Sequence, residues 1–421
     1  MTGSSRRAVL GAVGLAAVGG LAGCLDVRTS GRPAERTPAA PTTTAAATAT
    51  FRGGFHRRGV FPDATVPAEP RVEWTLRDLN TGDHTAAKAS PVATRSGDVV
   101  VPGDTGEVWR VTPDGDVVWT AAVEETSRGI HGTPTVVDGT VYVGAYDGAL
   151  YAFDLGTGER FWRRKLGDAI GSSPGYHDGT VYIAVEYYEP SGAMFGVDAV
   201  SGEVVWEDRR PTDHPHSTCA LDREAGRLVV GSNDGNLYAW TYPELTFVWS
   251  FSTGDAIKGP VATHDGSAVF GSWDGNVYRV ALDDGSRQWA AETGGMVMSG
   301  PAVEAATDTV YVGSHDSRCY ALDAATGNVR WTFDTGGRIT GCPTVAGDHV
   351  LVGSYDRRCY ALAKRTGEKR WAVDGVGHVT GSPTVVDGAV YVTDRASEAH
   401  LAGGDGRTGG LYKIGADRGA D

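Results

Sequence analysis

Eight near-copies of one segment, set 40 to 45 residues apart, constrain this chain of 421 residues more than any other feature. Each copy closes on a Trp: Trp74, Trp119, Trp162, Trp206, Trp249, Trp289, Trp331 and Trp371. Most copies also carry a small residue followed by Pro; these prolines are Pro91, Pro134, Pro174, Pro260, Pro301, Pro343 and Pro383. In the copy that closes on Trp249, Cys219 stands in place of the Pro. Repeats of this length are typical of propellers and solenoids.

Each copy consists of four strand-like runs separated by turn residues. In "DGTVYVGAYDGALYAFDLGTGERFW", residues 138–162, β-branched and aromatic residues alternate with small ones, and D-G and T-G pairs separate the runs. Such runs favour pleated strands, and the glycines supply the positive φ that hairpin turns need. Four short antiparallel strands make one propeller blade. The sequence therefore predicts an all-β fold, an eight-bladed β-propeller with four-stranded antiparallel blades.

The two ends of the repeat array predict how the ring closes. The last repeat proline, Pro383, is followed by "TVVDGAVYVTD" and "GGLYKI", which amount to three strands without a closing Trp. The surplus Trp is Trp74, in "RVEWTL" near the start of the array. We expect the N-terminal segment to supply the fourth strand of the last blade, which removes the exposed sheet edges. Each Trp is expected to pack between neighbouring blades.

The first residues predict export and a lipid anchor. Arg6 and Arg7 precede a short apolar run, as in a twin-arginine export signal, and "LAGC" resembles a lipobox that would leave a lipidated Cys24 after cleavage. An uncleaved membrane anchor is the alternative. Both alternatives place the rest of the chain on the extracytoplasmic face of the cell membrane.

The predicted domain organisation has four parts. A signal peptide of the twin-arginine lipoprotein type is followed by a disordered tether rich in Thr, Ala and Pro, which has few bulky apolar residues to bury. The propeller follows, and a short tail ends the chain. The boundaries are 1–23, 24–50, 51–414 and 415–421.

The charge balance excludes one class of partner. The formal net charge is −14 and the calculated isoelectric point is about 5.2, whereas binding to nucleic acid requires a basic surface. Lys is scarce beside Arg and Asp is abundant, a composition that fits a salt-adapted organism such as a halophilic archaeon. A GC-rich genome explains the excess of Arg equally well.

These repeats resemble those of the pyrroloquinoline-quinone-like (PQQ-like) β-propellers. The eight-bladed, lipid-anchored arrangement is similar to that of the BamB-type outer-membrane assembly lipoproteins. The resemblance covers residues 51–414 and implies the fold. It leaves function open, since this type of propeller serves quinone enzymes, assembly scaffolds and sensor domains.

In quinone enzymes of this type, the resemblance implies a disulfide between adjacent Cys residues and a calcium ion held by Glu and Asn beside a catalytic Asp. No two of the five Cys residues here are adjacent. Cys319 and Cys359 occupy positions where other copies carry Leu or Val, so we interpret them as core residues too far apart to form a disulfide. We therefore expect no catalytic residue and no cofactor, pyrroloquinoline quinone included.

One cluster could ligate a metal. In "DHPHSTC", His214, His216 and Cys219 fall within six residues, a spacing that could supply three ligands to zinc or copper. No second cluster accompanies it. The alternative, which we favour, is an irregular loop with two solvated His and a Cys in place of Pro.

Strand order in a blade places two sets of loops on one face. The lead-in loop before each first strand and the hairpin between the second and third strands share a side, and cationic and His residues concentrate there. We expect this face to bind an acidic partner, although chance alone could enrich polar loops in Arg. Its residues are His84, Lys88, Arg128, His131, Arg209, Arg210, Lys258, Arg338 and His378, with Tyr187 and Tyr188 exposed on an enlarged hairpin.

The sequence thus favours a lipid-anchored, non-catalytic propeller that acts as a protein-binding scaffold or accessory factor at the cell envelope. Envelope or secreted proteins are the expected partners, and the propeller is expected to be monomeric. A quinone-dependent dehydrogenase is the alternative from the enzyme class, and a solute-binding sensor that uses the channel mouth is a third.

Overall fold

The computed structural model describes residues 49–80, 89–126, 128–375, 377–395 and 408–416. These residues form eight antiparallel sheets around a central channel, so the prediction of an eight-bladed β-propeller is confirmed. The first strands of neighbouring blades approach one another around the axis and are therefore innermost. Among the described residues, short 3₁₀ turns form at Phe51–Gly53, ahead of the first blade, and at Ala305–Thr307, between the first two strands of blade six.

The strands follow the repeat closely. Those of blades one to four are Val92–Ala93, Val99–Pro102, Glu107–Val111 and Val117–Ala122; Thr135–Val137, Thr140–Gly144, Ala149–Asp154 and Arg160–Lys165; Gly175–His177, Thr180–Tyr187, Ser191–Asp198 and Val204–Asp208; and Ala220–Asp222, Arg227–Gly231, Asn236–Thr241 and Phe247–Ser252.

Blades five to eight repeat the arrangement. Their strands are Ala262–His264, Ser267–Gly271, Asn276–Ala281 and Arg287–Glu292; Ala302–Glu304, Thr309–Gly313, Arg318–Asp323 and Val329–Asp334; Thr344–Ala346, His349–Ser354, Arg358–Ala363 and Lys369–Asp374; and Thr384–Val386, Ala389–Arg395, Gly409–Ala416 and Pro70–Asn80, with His378–Val379 pairing beside blade eight and Val60–Phe61 beside blade seven.

The predicted ring closure is confirmed. The N-terminal strand Pro70–Asn80 pairs antiparallel with Gly409–Ala416 as the outermost strand of blade eight. Trp74 on that strand donates a hydrogen bond from Nε1 to the carbonyl of Pro113 in blade one, at 2.9 Å. Strands from the two ends of the repeat array therefore share a single sheet.

The closing Trp side chains join each blade to the next. The Nε1 group of Trp289, for example, donates to the carbonyl of Ala324 in the following blade at 2.9 Å. A glycine turn of that blade covers the ring, and a Cβ built on Gly327 would lie 2.9 Å from Trp289. Trp206 differs, because blade four carries a Tyr-Pro turn at this place, and Trp206 packs edge-on against Trp240 instead.

The small residues before the repeat Pro, or before Cys219 in blade four, form part of a hydrogen-bonded belt around the channel wherever they carry a side-chain acceptor. The backbone N–H of Thr133 donates to Ser173 Oγ at 2.9 Å, and that of Ser173 donates to Thr218 Oγ1 at 3.1 Å. The same link joins blade eight to blade one, where the N–H of Ser382 donates to Ser90 Oγ at 2.8 Å. A Ser or Thr at this position therefore accepts from the preceding blade. The belt is incomplete in blades five and six, where the residue is Gly, and in blade seven Cys342 Sγ accepts from the N–H of Gly300 at 3.1 Å.

An N-terminal segment, Ala49–Phe61, lies across the channel at the end opposite the lead-in loops, and we call it the plug. Its carbonyls accept backbone hydrogen bonds from the first strands of blades two, four, five, six and seven. Ala49 pairs with Val136, so the last two residues of the range assigned to the tether contact the propeller.

Two buried guanidinium groups hold the plug in place. Arg57 is fully buried and donates to the carbonyls of Pro174, Cys219 and Phe51. Arg52 donates to the carbonyls of Pro301 and Pro343. Burial lowers the pKa of Arg57 to about 10, and the carbonyl oxygens take the place of the lost water.

Several predicted features lie outside the described residues. These are the export signal with Arg6 and Arg7, the lipidation site Cys24, residues 24–48 of the tether, the face residues His84 and Lys88, residues 396–407 of the last hairpin, and residues 417–421 of the tail. Within the described ranges, no helix has the length and apolar character needed to cross a bilayer.

Candidate functional site

The lead-in loops and the second-to-third hairpins meet at one end of the channel, around a cavity of about 400 Å³. Both sets of loops contribute side chains, as the strand order predicts. The lining residues are Arg128, His131, Tyr146, Glu186, His214, His216, Asn233, Lys258, Trp273, Met296, Met298, His315, Arg338, Thr340 and Tyr355. We call this cavity the mouth cavity.

One position of the repeat supplies a third of this lining. In the hairpin of blades two and four to seven, a variable residue precedes an Asp, and the variable side chains are Tyr146, Asn233, Trp273, His315 and Tyr355. The Asp is structural: Asp274, for instance, accepts from Tyr278 Oη at 2.7 Å and from the N–H of Gly254 at 2.8 Å. A fixed Asp thus holds each hairpin while its neighbour faces the cavity.

Three cations of the lead-in loops lie against three of these rings. Lys258 Nζ is 3.8 Å from the ring centre of Trp273. Arg338 Cζ is 4.1 Å from that of Tyr355, and Arg128 Cζ is 5.6 Å from that of Tyr146. Cation–π contact at this distance fixes a side chain without neutralising its charge. Burial lowers the pKa of Lys258, while Glu186, Asp213 and Asp255 oppose the shift.

The structure separates two kinds of Arg on this face. In the described part of the chain, no carboxylate lies within 4.0 Å of the guanidinium nitrogens of Arg128 or Arg338. Arg209 and Arg210, by contrast, form ion pairs with Glu207 and Asp208 two residues earlier. Because their charges are locally compensated, they contribute less to an anion-attracting field than the sequence predicts.

A buried polar cluster lies on one side of the cavity. His216 Nδ1 is 2.7 Å from Glu186 Oε1 and 3.4 Å from Tyr146 Oη. The His131 ring centre is 4.3 Å from that of Tyr146. Burial, with Glu186 next in effect, raises the pKa of Tyr146 well above its usual value, so this phenol stays protonated.

The candidate metal cluster is divided in the structure. His214 and His216 line the mouth cavity, and His214 Nε2 is 2.7 Å from the carbonyl of Tyr187. Cys219 lies in the apolar core between blades three and four, and burial raises the pKa of its thiol to about 11. Among the residues that the structure describes, no three His, Cys, Asp or Glu side chains are grouped closely enough to hold a metal ion.

The remaining predicted face residues differ in exposure. Tyr188 is 83% exposed, as predicted. Tyr187 is half-buried instead, because its hydroxyl donates to the carbonyl of Leu166 at 3.2 Å and Arg209 covers its ring. His378 is also half-buried, with its ring stacked 4.5 Å from that of Tyr355.

The plug closes the channel below the mouth cavity. A constriction of about 20 Å³ follows the mouth cavity down the axis, and its lining includes Phe51 together with His131, Met298 and Thr340 from the cavity wall. Phe51 also lines a separate space of about 270 Å³ on the far side. The mouth cavity is therefore a cup with Phe51 beneath its floor.

The residues present do not fit the quinone site that the resemblance implies. Calcium takes about six to eight oxygen ligands. Of the described cavity residues, Glu186 supplies a carboxylate, and that carboxylate is bonded to His216. The four described Cys are free and buried, which leaves none of them in a disulfide.

Sequence reasoning missed the plug, Glu186 and the variable hairpin side chains. The hairpin residues carried a signal, because the positions around them repeat as G-S-x-D in four of these blades and as G-A-x-D in blade two. A single variable position inside a fixed turn marks a side chain that the fold does not need. For the plug, "FRGGFHRRG" has no alternating pattern that would predict its contacts.

Comparison with known proteins identifies a family. A family model described as "Outer membrane protein assembly factor BamB" matches residues 67–291 and 273–421. The BamB of Yersinia pestis is 26% identical over 225 residues, which cover 50% of this chain and 54% of that protein. The 1-butanol dehydrogenase (cytochrome c) of Thauera butanivorans is 30% identical over 141 residues, 29% of this chain and 20% of that protein. The chain thus spans about half, or less, of the length of these relatives.

Solved structures share the fold. The quinohemoprotein alcohol dehydrogenase of Comamonas testosteroni has a TM-score of 0.72 at 17% identity, covering 88% of this chain and 81% of that one. BamB of Moraxella catarrhalis has a TM-score of 0.64 at 19% identity, covering 84% and 99%. At sequence identities this low, the likeness shows the fold alone. Both an alcohol dehydrogenase and a BamB protein occur among these structural neighbours.

Proposed function

This chain belongs to the BamB family of PQQ-like repeat propellers, and from that premise we propose that it is a non-catalytic accessory factor for protein assembly at the cell envelope. It would be held at the extracytoplasmic face of the membrane by a lipid on Cys24. In this proposal the face around the mouth cavity docks an acidic protein partner.

The observation that carries the docking proposal is the placement of Arg128, Lys258 and Arg338. These three cations surround one opening in a protein whose formal net charge is −14. A local field opposite in sign to the remaining surface steers an acidic partner and fixes its orientation. The neighbouring Tyr188 adds an exposed aromatic ring, a residue type enriched at binding interfaces.

The dehydrogenase alternative requires residues that the described cavity does not supply. Its support is the likeness to quinohemoprotein alcohol dehydrogenases, which is confined to a fraction of their length in sequence and to the fold in structure. The accessory role is therefore the better supported of the two.

Removing the three mouth cations should weaken partner capture. We expect the variant Arg128→Ser, Lys258→Ser and Arg338→Ser, expressed in its own host, to retain envelope proteins on the order of tenfold less well than the unmodified chain, because the attractive field is lost. Quantitative mass spectrometry of proteins co-purified from detergent-solubilised membranes measures this.

The matched control removes two Arg and one Lys at the opposite end of the propeller. Arg287, Arg365 and Lys369 are exposed there, so Arg287→Ser, Arg365→Ser and Lys369→Ser changes the net charge equally. Capture by this control should stay close to that of the unmodified chain. Equal capture by the unmodified chain and both variants would contradict docking at the mouth. An equal loss of capture in both variants would show that net charge, and not the mouth, determines the effect.

A further inference from the structure

The three mouth cations are distributed around the cavity axis. Arg128 belongs to blade two, Lys258 to blade five and Arg338 to blade seven, so that two, one and two blades lie between them around the ring of eight. Each side chain is half-buried or exposed, and each rests on the ring of its own blade. Cations placed on all sides of one cavity suit a ligand with more than one anionic group.

The aromatic rings of the cavity are already covered by protein groups. Tyr355 has His378 stacked on it at 4.5 Å and Arg338 at 4.1 Å. Trp273 is covered by Lys258, and Tyr146 contacts both His131 and Arg128. A flat aromatic ligand would have to displace these groups, whereas a compact aliphatic body would fit among them.

Polar atoms in the cavity wall lack partners. Asn233 Oδ1, Trp273 Nε1 and His315 Nε2 are buried without a hydrogen-bond partner in the described structure. Buried polar groups are normally satisfied, so such atoms indicate a missing ligand or water. Burial and the nearby Arg338 lower the pKa of His315, which leaves the ring neutral and able to donate from one nitrogen.

The shape of the cavity limits the size of its ligand. Its volume of about 400 Å³ lies within the roughly 300–1,000 Å³ of small-molecule pockets. Among the described residues, Phe51 and the plug narrow its lower end to a space of about 20 Å³, so a ligand would reach the cavity through the mouth. Met296 and Met298 add an adaptable apolar wall beside the cations.

We propose that the mouth cavity binds a small aliphatic polycarboxylate. The guanidinium groups of Arg128 and Arg338 and the ammonium of Lys258 pair with its carboxylates, and Trp273 Nε1 and His315 Nε2 donate to them after a small side-chain rotation. This binding goes beyond the docking of a protein partner and does not rest on it.

Citrate is the probe for this site. Titration calorimetry of the purified full chain should show saturable binding of one citrate per chain. Tricarballylate, which has the same three carboxylates on an aliphatic body, should bind comparably, and benzene-1,3,5-tricarboxylate should bind more weakly because its ring meets occupied aromatic faces. Citrate should also change the Trp fluorescence, and Trp273→Phe should abolish that change.

Matched substitutions locate the site. Arg338→Gln and Lys258→Gln should each weaken citrate binding on the order of tenfold, since each removes one charge-assisted contact. Arg358→Gln is the control on blade seven, because Arg358 is exposed and paired with Asp374. It should change the affinity less than about twofold, as expected for a surface ion pair. Unchanged unfolding midpoints show that the variants are folded.

Two outcomes would overturn the proposal. The first is the absence of saturable citrate binding, or binding that Arg338→Gln and Lys258→Gln leave unchanged. The second concerns an end-capped tri-glutamate peptide. If this peptide binds and citrate does not displace it, the cations would be assigned to a protein partner alone. Peptide binding displaced by citrate supports a shared carboxylate site, with the free solute as the tighter ligand.

Discussion

Trp289→Ala should lower the free energy of unfolding by about 3–5 kcal/mol, the usual cost of removing a large buried aromatic side chain. Trp289 is 7% exposed, belongs to the core between blades five and six, and donates a hydrogen bond across the blade boundary. Its loss leaves a cavity and removes one of the two hydrogen bonds that the Ala324 carbonyl accepts, the other coming from Arg279 Nη1 at 2.6 Å. Urea unfolding followed by circular dichroism measures the change.

A pair of glycines isolates the packing contribution. Gly327 and Gly139 both have positive φ, +76° and +83°, so Ala costs similar backbone strain at either position. A Cβ on Gly327 would lie 2.9 Å from the Trp289 ring, whereas a Cβ on Gly139 would meet nothing within 4 Å. We expect Gly139→Ala to cost about 1 kcal/mol and Gly327→Ala about 2–4 kcal/mol, with overpacking as the difference. Equal costs would show that the glycine is needed only for its backbone.

Arg57→Met should release the plug and destabilise the propeller by about 3 kcal/mol or more. Methionine keeps much of the side-chain length but removes the donors to Pro174, Cys219 and Phe51. The Pro174 carbonyl still accepts from Thr135 Oγ1 at 2.7 Å, whereas those of Cys219 and Phe51 lose their side-chain donor, and each buried acceptor left without a partner costs about 1–3 kcal/mol. The amide protons of Leu221, Thr263, Val303 and Val345, which bond to plug carbonyls, should then exchange faster with solvent. Hydrogen–deuterium exchange by mass spectrometry measures this.

Arg58→Met provides the control within the same segment. Arg58 is half-buried and donates from Nε to one carbonyl, that of Thr263, at 2.9 Å. Its replacement should cost about 1 kcal/mol and leave exchange at Val303 and Val345 protected. If Arg57→Met leaves those amides protected as well, the buried guanidinium does not hold the plug.

The fold could be predicted because the residue patterns that specify its strands and turns are local and occur in every repeat. Each run of alternating residues and each D-G turn specifies a strand pair within a few positions, and eight copies reinforce one interpretation. The surplus Trp74 was enough to predict the closing strand. The shared face of lead-in loops and hairpins follows from strand order alone, so the sequence was enough to place Arg128, Lys258 and Arg338 on one face.

The remaining features depend on contacts between distant residues. Arg57 reaches Pro174 and Cys219, more than a hundred positions away, and nothing in the plug sequence indicates those partners. Tyr187 was expected to be exposed, but a carbonyl and a guanidinium from other elements cover it. Arg209 and Arg210 are a different case, because each pairs with an acid two positions earlier that the sequence already displays.

Site-specific photo-crosslinking tests the proposed docking face most directly. A photoreactive amino acid at position 188, where the side chain is 83% exposed beside the mouth, is compared in the native host with one at position 365, exposed at the opposite end. The proposal predicts adducts with envelope proteins at position 188, lost in the Arg128, Lys258 and Arg338 triple variant, and few at position 365. Adducts that form at position 365 and not at 188, or that persist at 188 in the triple variant, would contradict it.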